Sequence, residues 1–302
     1  LGLVEAGEKD ERVVVLCADL SESTRSQWFK DKFPDRFIQM GVAEQNMATV
    51  AAGLANYGKI PFISSYAAFS PGRNWEQIRT TIALNNVPVK IGGAHAGISV
   101  GPDGATHQQL EDIAIMRTMP NMVVLVPCDA IEAQKATVAA AFNNKPTYIR
   151  FGREKSPVFT TVETPFEIGR AEIFREGKDV SIITCGMLLY NALVAAEKLA
   201  QEGIDCEVIN FHTIKPLDEK TITTSAKKTG AVVSVEEHQI NGGLGSAIAE
   251  TLARNYPAPQ EFIGVQDRFG ESGKLEELIE HFGLDANAIK QAVKKVLVRK
   301  NG

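Results

Sequence analysis

Between Met40 and Tyr57 the sequence reads MGVAEQNMATVAAGLANY, with a single carboxylate, Glu44, among Ala43, Met47, Ala48, Val50, Ala51 and Leu54. A carboxylate at the mouth of an apolar helix has two uses. It can complement the helix dipole, worth ~0.3–1 kcal/mol at a surface. It can instead hold a proton in a desolvated pocket, where burial favours the neutral form. Three further groups carry chemistry. Asp19 ends the apolar run VVVLCAD, and the aromatics Tyr66 and Phe69 follow IPFISS. The loop GGAHAGISVGPDGATHQQLED (92–112) holds His95, Asp103 and His107 among its glycines. Asn241–Gly245, NGGLG, has the composition of a phosphate loop but neither G-x-G-x-x-G nor a Walker lysine, so it reads as a tight strand-to-helix turn. His212 and His238 read as core or interface residues.

The elements that must position these groups alternate strand and helix. Continuous apolar runs suit strands covered on both faces, as in parallel sheets. Such runs are VVVLCAD, RFIQMG, IPFISS, VPVKIGGA, MVVLVP and TYIRFG. A helix is predicted from Glu44 to Tyr57, closed by Gly58 in the left-handed position. Asp129 and Glu132 form a D-x-x-E capping box opening an Ala-rich helix to Phe142. The polar, Pro-containing stretch REKSPVFTTVETPFEIG reads as a linker. A second alternation follows through DVSIITCG, DCEVINFHTIKP, AVVSVEEH and FIGVQD, and two helices close the chain. The predicted class is α/β, with two domains at 1–155 and 168–302, each a mostly parallel sheet flanked by helices. Ligands of open α/β sheets bind beyond the carboxyl ends of the strands. Asp19, Glu44, Tyr66, Phe69 and the 92–112 loop all follow strand ends.

Composition narrows the function classes. The 302 residues are 44% apolar and 23% charged, with a formal net charge of -5. That balance disfavours binding to nucleic acid or to a membrane surface through bulk charge. No apolar run reaches the ~18 residues needed to span a bilayer. Cys17, Cys128, Cys185 and Cys206 are scattered without a CxxC and read as buried reduced thiols, from which a cytoplasmic location is expected.

The segments GVAEQNM, SYAAF…QIR, GPDGATHQQLEDIA, FHTIKPLD, VEEHQINGGLGSAIAE and SGKLEELIEHFGL stand in an order and spacing that resembles the C-terminal half of transketolase. The resemblance covers nearly the whole chain. It implies a pyrimidine-binding domain followed by a transketolase C-terminal domain, with thiamine diphosphate as cofactor. Glu44 matches the glutamate that hydrogen-bonds the cofactor's pyrimidine nitrogen and favours its imino tautomer. Tyr66 and Phe69 match the aromatic wall for that ring, and Asp19 matches an aspartate near the thiazolium. His107 matches the histidine at the reacting carbon and Asp103 a carboxylate reading a substrate hydroxyl. Ser23, His95 and Arg153 match contacts at the sugar phosphate, with a further arginine upstream of Leu1. The turn SPGR after Phe69 is one residue longer than the family pattern, which leaves Arg73 without an assigned role.

The family holds the diphosphate through Mg²⁺ or Ca²⁺ on a GDG motif, which this sequence lacks. The resemblance therefore implies a split enzyme: an N-terminal subunit carries the diphosphate-binding domain, two copies of each chain form a heterotetramer, and sugar phosphates are the substrates. Other readings are a halved 1-deoxy-D-xylulose-5-phosphate synthase, a 2-oxoacid dehydrogenase beta subunit, a truncated polypeptide, or a non-catalytic assembly subunit.

Overall fold

The structure is a computed structural model describing residues 1–302. Twelve strands form two sheets. The first six are β1 (Val13–Cys17), β2 (Phe37–Gln39), β3 (Ile60–Tyr66), β4 (Lys90–Ala94), β5 (Val123–Leu125) and β6 (Thr147–Arg150). The others are β7 (Glu172–Arg175), β8 (Val180–Thr184), β9 (Cys206–Asn210), β10 (Thr213–Lys215), β11 (Val232–Gln239) and β12 (Gln260–Val265). The first sheet has the order β10-β5-β6-β4-β3-β1-β2 and the second β12-β11-β8-β9-β7. Pairing is parallel throughout, except that β10 and β7 join as antiparallel edges. Every residue of β1, β8 and β9 is buried, the two-sided covering that their apolar runs require.

The segment DCEVINFHTIKP, expected as one strand, divides between the sheets. β9 pairs with β8, while β10 crosses over and pairs with β5. The exchange occurs at Phe211 and His212. Phe211 N–H donates to Thr184 O at 2.8 Å, and His212 O accepts from Val126 N–H at 2.8 Å. The largest apolar cluster follows this crossing, uniting Leu16, Ile63, Ile91 and Val124 of the first sheet with Ile183, Ile209, Phe211 and Ile214.

The capping box at Asp129 is half formed. The Asp129 side chain accepts from Glu132 N–H at 2.9 Å, opening the helix Ala130–Phe142. Glu132 does not return to the Asp129 amide. It is buried, accepts from Cys128 N–H at 2.6 Å, and reaches Asn210 Nδ2 of β9 at 2.8 Å. The second oxygen of Asp129 takes Phe159 N–H and Thr160 N–H at 3.0 and 2.8 Å, which ties down the irregular segment between β6 and β7. No helix is long and apolar enough to cross a membrane.

Candidate functional site

The carboxyl ends of β1, β3 and β4 and the start of the helix Glu44–Asn56 converge on one region. Glu44 is 1% exposed and is the first residue of its helix. Its backbone carbonyl accepts from the buried Asn74 Nδ2 at 3.0 Å, which fixes the helix start against the turn after β3. Ser65 Oγ of β3 donates to Glu44 Oε1 at 3.3 Å. The pocket around Glu44 is not purely apolar, as the sequence led us to expect. Arg73 Nη1 lies 2.8 Å from Glu44 Oε2. The same guanidinium stands over the Phe69 ring at 4.7 Å. One carboxyl oxygen of Glu44 is thus paired with a cation and the other is hydrogen-bonded by Ser65. Arg73 escaped sequence reasoning because the longer SPGR turn obscured its register; nothing short of the fold places it on Glu44.

Tyr66 ends β3, and Phe69 follows in the turn. Their rings stack with centroids 6.0 Å apart and planes at 21°. His95, just beyond β4, stacks on Tyr66 at 4.0 Å. His107 meets Phe69 edge-on at 5.5 Å and Tyr66 at 6.1 Å. Both histidines of the glycine-rich loop therefore touch one aromatic pair although twelve positions separate them. His107 Nδ1 shares a hydrogen bond of 2.9 Å with Thr106 Oγ1. His95 is 7% exposed and its Nδ1 has no partner. Burial, helped by the Arg153 charge, pulls its pKa down to about 4, so the ring is neutral at pH 7.

A cleft of about 800 Å³ opens beside this cluster. Ser23, Arg25, Tyr66, His95, Arg153 and Lys155 are among its lining residues. Arg153 donates to Val100 O at 2.5 Å and stands 3.7 Å from Asp103. That contact brings Asp103 to the same wall, though its carboxylate is exposed. Arg25 and Lys155 are additional cations that sequence reasoning passed over. No motif marks them; Lys155 lies two residues from Arg153, and only the fold brings Arg25 to the same cleft. Asp19 lies apart from these contacts. It is exposed, has a φ of 59°, and uses only its N–H, donated to Gln39 Oε1 at 2.9 Å.

The remaining sequence features are structural. In NGGLG, Leu244 N–H and Gly245 N–H donate to the buried Glu236 carboxylate at 2.7 and 2.8 Å. The helix N-terminus thus takes an anion from its own chain. His238 is fully buried. Its Nδ1 lies 2.7 Å from Gln239 O, and its Nε2 accepts from Ala114 N–H at 3.3 Å. His212 stacks on Phe166 at 4.2 Å.

Comparison with known proteins identifies the family of the two domains. The family model of the transketolase pyrimidine-binding domain matches residues 1–158, and that of the transketolase C-terminal domain matches residues 169–289. A putative transketolase C-terminal section of Methanocaldococcus jannaschii is 46% identical over 96% of this chain and 92% of its own length. A 6-deoxy-6-sulfo-D-fructose transketolase subunit of Clostridium sp. is 43% identical over 99% of this chain and 93% of its own. Human transketolase is 36% identical over 98% of this chain, which spans 48% of that protein. A solved split-gene transketolase, described as an inactive beta4 tetramer, superposes with a TM-score of 0.93 at 46% identity, covering 99% of this chain and 96% of that one. This chain belongs to the transketolase family, whose members depend on thiamine diphosphate, and it carries the family's pyrimidine-binding and C-terminal domains.

Proposed function

We propose that this chain is the C-terminal subunit of a split transketolase that moves a two-carbon ketol unit from a ketose phosphate to an aldose phosphate. The observation that carries the reading is the buried carboxylate of Glu44 beside the Tyr66–Phe69 pair, with His107 edge-on to the same rings. These residues fit the pyrimidine half of thiamine diphosphate: a flat apolar wall and a carboxyl group able to share a proton with a ring nitrogen. The metal-bound diphosphate is assigned to the N-terminal partner subunit. When bound, the cofactor supplies a carbon nucleophile that accepts the ketol unit.

Each residue of this chain then has a task. Glu44 would hold a proton at the pyrimidine nitrogen, with Arg73 paired to its second carboxyl oxygen. Tyr66 and Phe69 exclude water from the ring faces. His107 hydrogen-bonds the donor at its reacting end, and Asp103 reads a hydroxyl further along. His95, neutral and with a free Nδ1, lies with Ser23 and Arg153 at the terminal anion, where a guanidinium fork suits a phosphate. Arg25 and Lys155 add charge to that end of the cleft. Asp19 is assigned to the thiazolium side. A cation-lined end favours sugar phosphates over small 2-oxoacids. A terminal sulfonate, the group in the name of the Clostridium relative, makes the same demand with less charge.

The test is reconstitution. This chain alone, mixed with thiamine diphosphate and Mg²⁺, is expected to be folded and inactive, and ketol transfer should appear on adding the N-terminal subunit. Robust turnover by this chain alone would overturn the split-enzyme reading. Running phosphorylated and sulfonated donors side by side assigns the terminal anion.

A further inference from the structure

The glycine-rich loop belongs to the first domain, yet the second domain holds it. Just before its last residue, β11 carries three consecutive buried polar residues, Glu236, Glu237 and His238. The register of β11 against β12 shifts between Val235 and Gln239; across this stretch Glu236 and His238 approach each other at 3.8 Å, while Glu237 turns to the glycine-rich loop. Glu237 there accepts from Ser99 N–H at 2.6 Å. The buried Arg150 of β6 backs this contact. Its Nη1 is 3.8 Å from the Glu237 carboxylate, its Nη2 donates to Glu237 O at 2.7 Å, and its Nε donates to Asp112 at 2.8 Å.

The loop's glycines record the same approach. Gly97, at φ +86°, leaves no room for a Cβ, which would fall 2.4 Å from the Glu237 carboxyl carbon. Gly104, at φ +71°, would put a Cβ 2.4 Å from Ser272 Oγ. Gln108 Nε2 donates both to Ile98 O within the loop, at 3.1 Å, and to Glu271 O of the second domain, at 2.9 Å. These bracing points alternate with the loop's candidate substrate groups. His95 precedes Gly97, Asp103 precedes Gly104, and His107 precedes Gln108.

We infer that Glu237, a C-terminal-domain residue outside the cleft, is the positioning residue of the substrate loop: by fixing Ser99 N–H it sets the separation of His95 from Asp103 and His107. The assignment of those three side chains to substrate rests on the proposed ketol-transfer reading; the bracing of the loop does not. Under this inference the C-terminal domain contributes to the active site without touching substrate.

Two variants separate positioning from simple charge balance. Glu237→Gln keeps an acceptor within reach of Ser99 N–H and loses the charge facing Arg150. Glu237→Asp keeps the charge and withdraws the acceptor by one methylene. If Glu237 positions the loop, the Asp variant suffers more. Amide exchange across residues 97–104 should rise about 10-fold or more, and donor KM in the complex with the N-terminal subunit should rise about 10-fold, the loss of a charge-assisted hydrogen bond. The Gln variant should lose less on both measures. Proton exchange on bound thiamine diphosphate, which depends on Glu44, should stay at the wild-type rate in both. If instead Gln is worse than Asp, Glu237 only neutralises Arg150 and the inference falls. If exchange across 97–104 does not respond to Asp, it falls as well. Amide exchange is read on this chain alone, so a wild-type complex without ketol transfer would refute the proposed function and leave the bracing to be decided by exchange.

Discussion

Glu44 and Arg73 make the closest charged contact of the candidate site, at 2.8 Å, and they set the first expectation. On the proposed role of Glu44 as the carboxyl that shares a proton with the cofactor ring, Glu44→Gln should slow thiazolium proton exchange by about 10²–10⁴-fold, the usual range for a general acid–base group. An unchanged exchange rate would reduce Glu44 to a helix-dipole residue paired with Arg73. Arg153→Ala and His107→Ala should part company. A charge-assisted bond to an anion is worth roughly 1.5–3 kcal/mol. Losing Arg153 should therefore raise KM for a ketose phosphate by about 10- to 150-fold and leave a non-phosphorylated donor such as hydroxypyruvate nearly untouched. Losing His107 should lower kcat with both donors, because its contact strengthens in the transition state. Equal damage to both donors by Arg153→Ala would make that arginine structural.

Elements meet through buried polar contacts that their own sequences do not announce. Glu132, on the helix Ala130–Phe142, spends its carboxylate on Cys128 N–H and on Asn210 of β9. Desolvation raises its pKa from 4.5 to about 7. The folded state therefore keeps a proton that the unfolded chain releases. Relative to the unfolded chain, the helix contact is fully favourable below pH 4.5 and loses stability as pH rises towards 7. A shift of this size corresponds to a cost on the order of 3 kcal/mol above pH 7. Glu132→Gln removes the ionisation, and Asn210 Oδ1, buried without a partner, can take an amide N–H if the Asn210 amide turns over. The variant should melt above wild type at pH 8, with the gap closing by pH 5; a gap independent of pH would show that Glu132 is not the titrating group. His95 and His212, both lowered to about 4 by burial, impose the opposite slope below pH 6.5, and it cancels when variant and wild type are compared at each pH.

The two domains share more than a linker. β10 leaves the second domain's connectivity to edge the first sheet, and the largest apolar cluster crosses with it. The chain should accordingly unfold in one calorimetric transition. Ile214, in β10 and 2% exposed, should cost about 2–5 kcal/mol when truncated to Ala, the usual range for emptying a core position. That substitution should lower the single transition as a whole. Two resolved transitions, with only one of them moved by Ile214→Ala, would mean that the domains fold independently and that β10 is a superficial contact.

Local patterns sufficed for the α/β class, the parallel strands and the helix beginning at Glu44, because two-sided burial and helix starts leave marks within a few neighbouring residues. Motif spacing along the chain likewise singled out Glu44, Tyr66, Phe69 and the paired histidines of the glycine loop. Contacts between residues far apart in sequence left no such mark. Arg73 on Glu44, Arg25 on the wall that carries Arg153, Glu132 on Asn210, and Glu237 on Ser99 each depend on where two elements come to rest. The same holds for the division of DCEVINFHTIKP between two sheets, since β9 and β10 are both short and only the neighbouring strand edges decide which sheet receives each. The glycines of the substrate loop were visible in the sequence, but their reason was not: a missing Cβ is a demand made by whatever approaches, and what approaches here is the second domain.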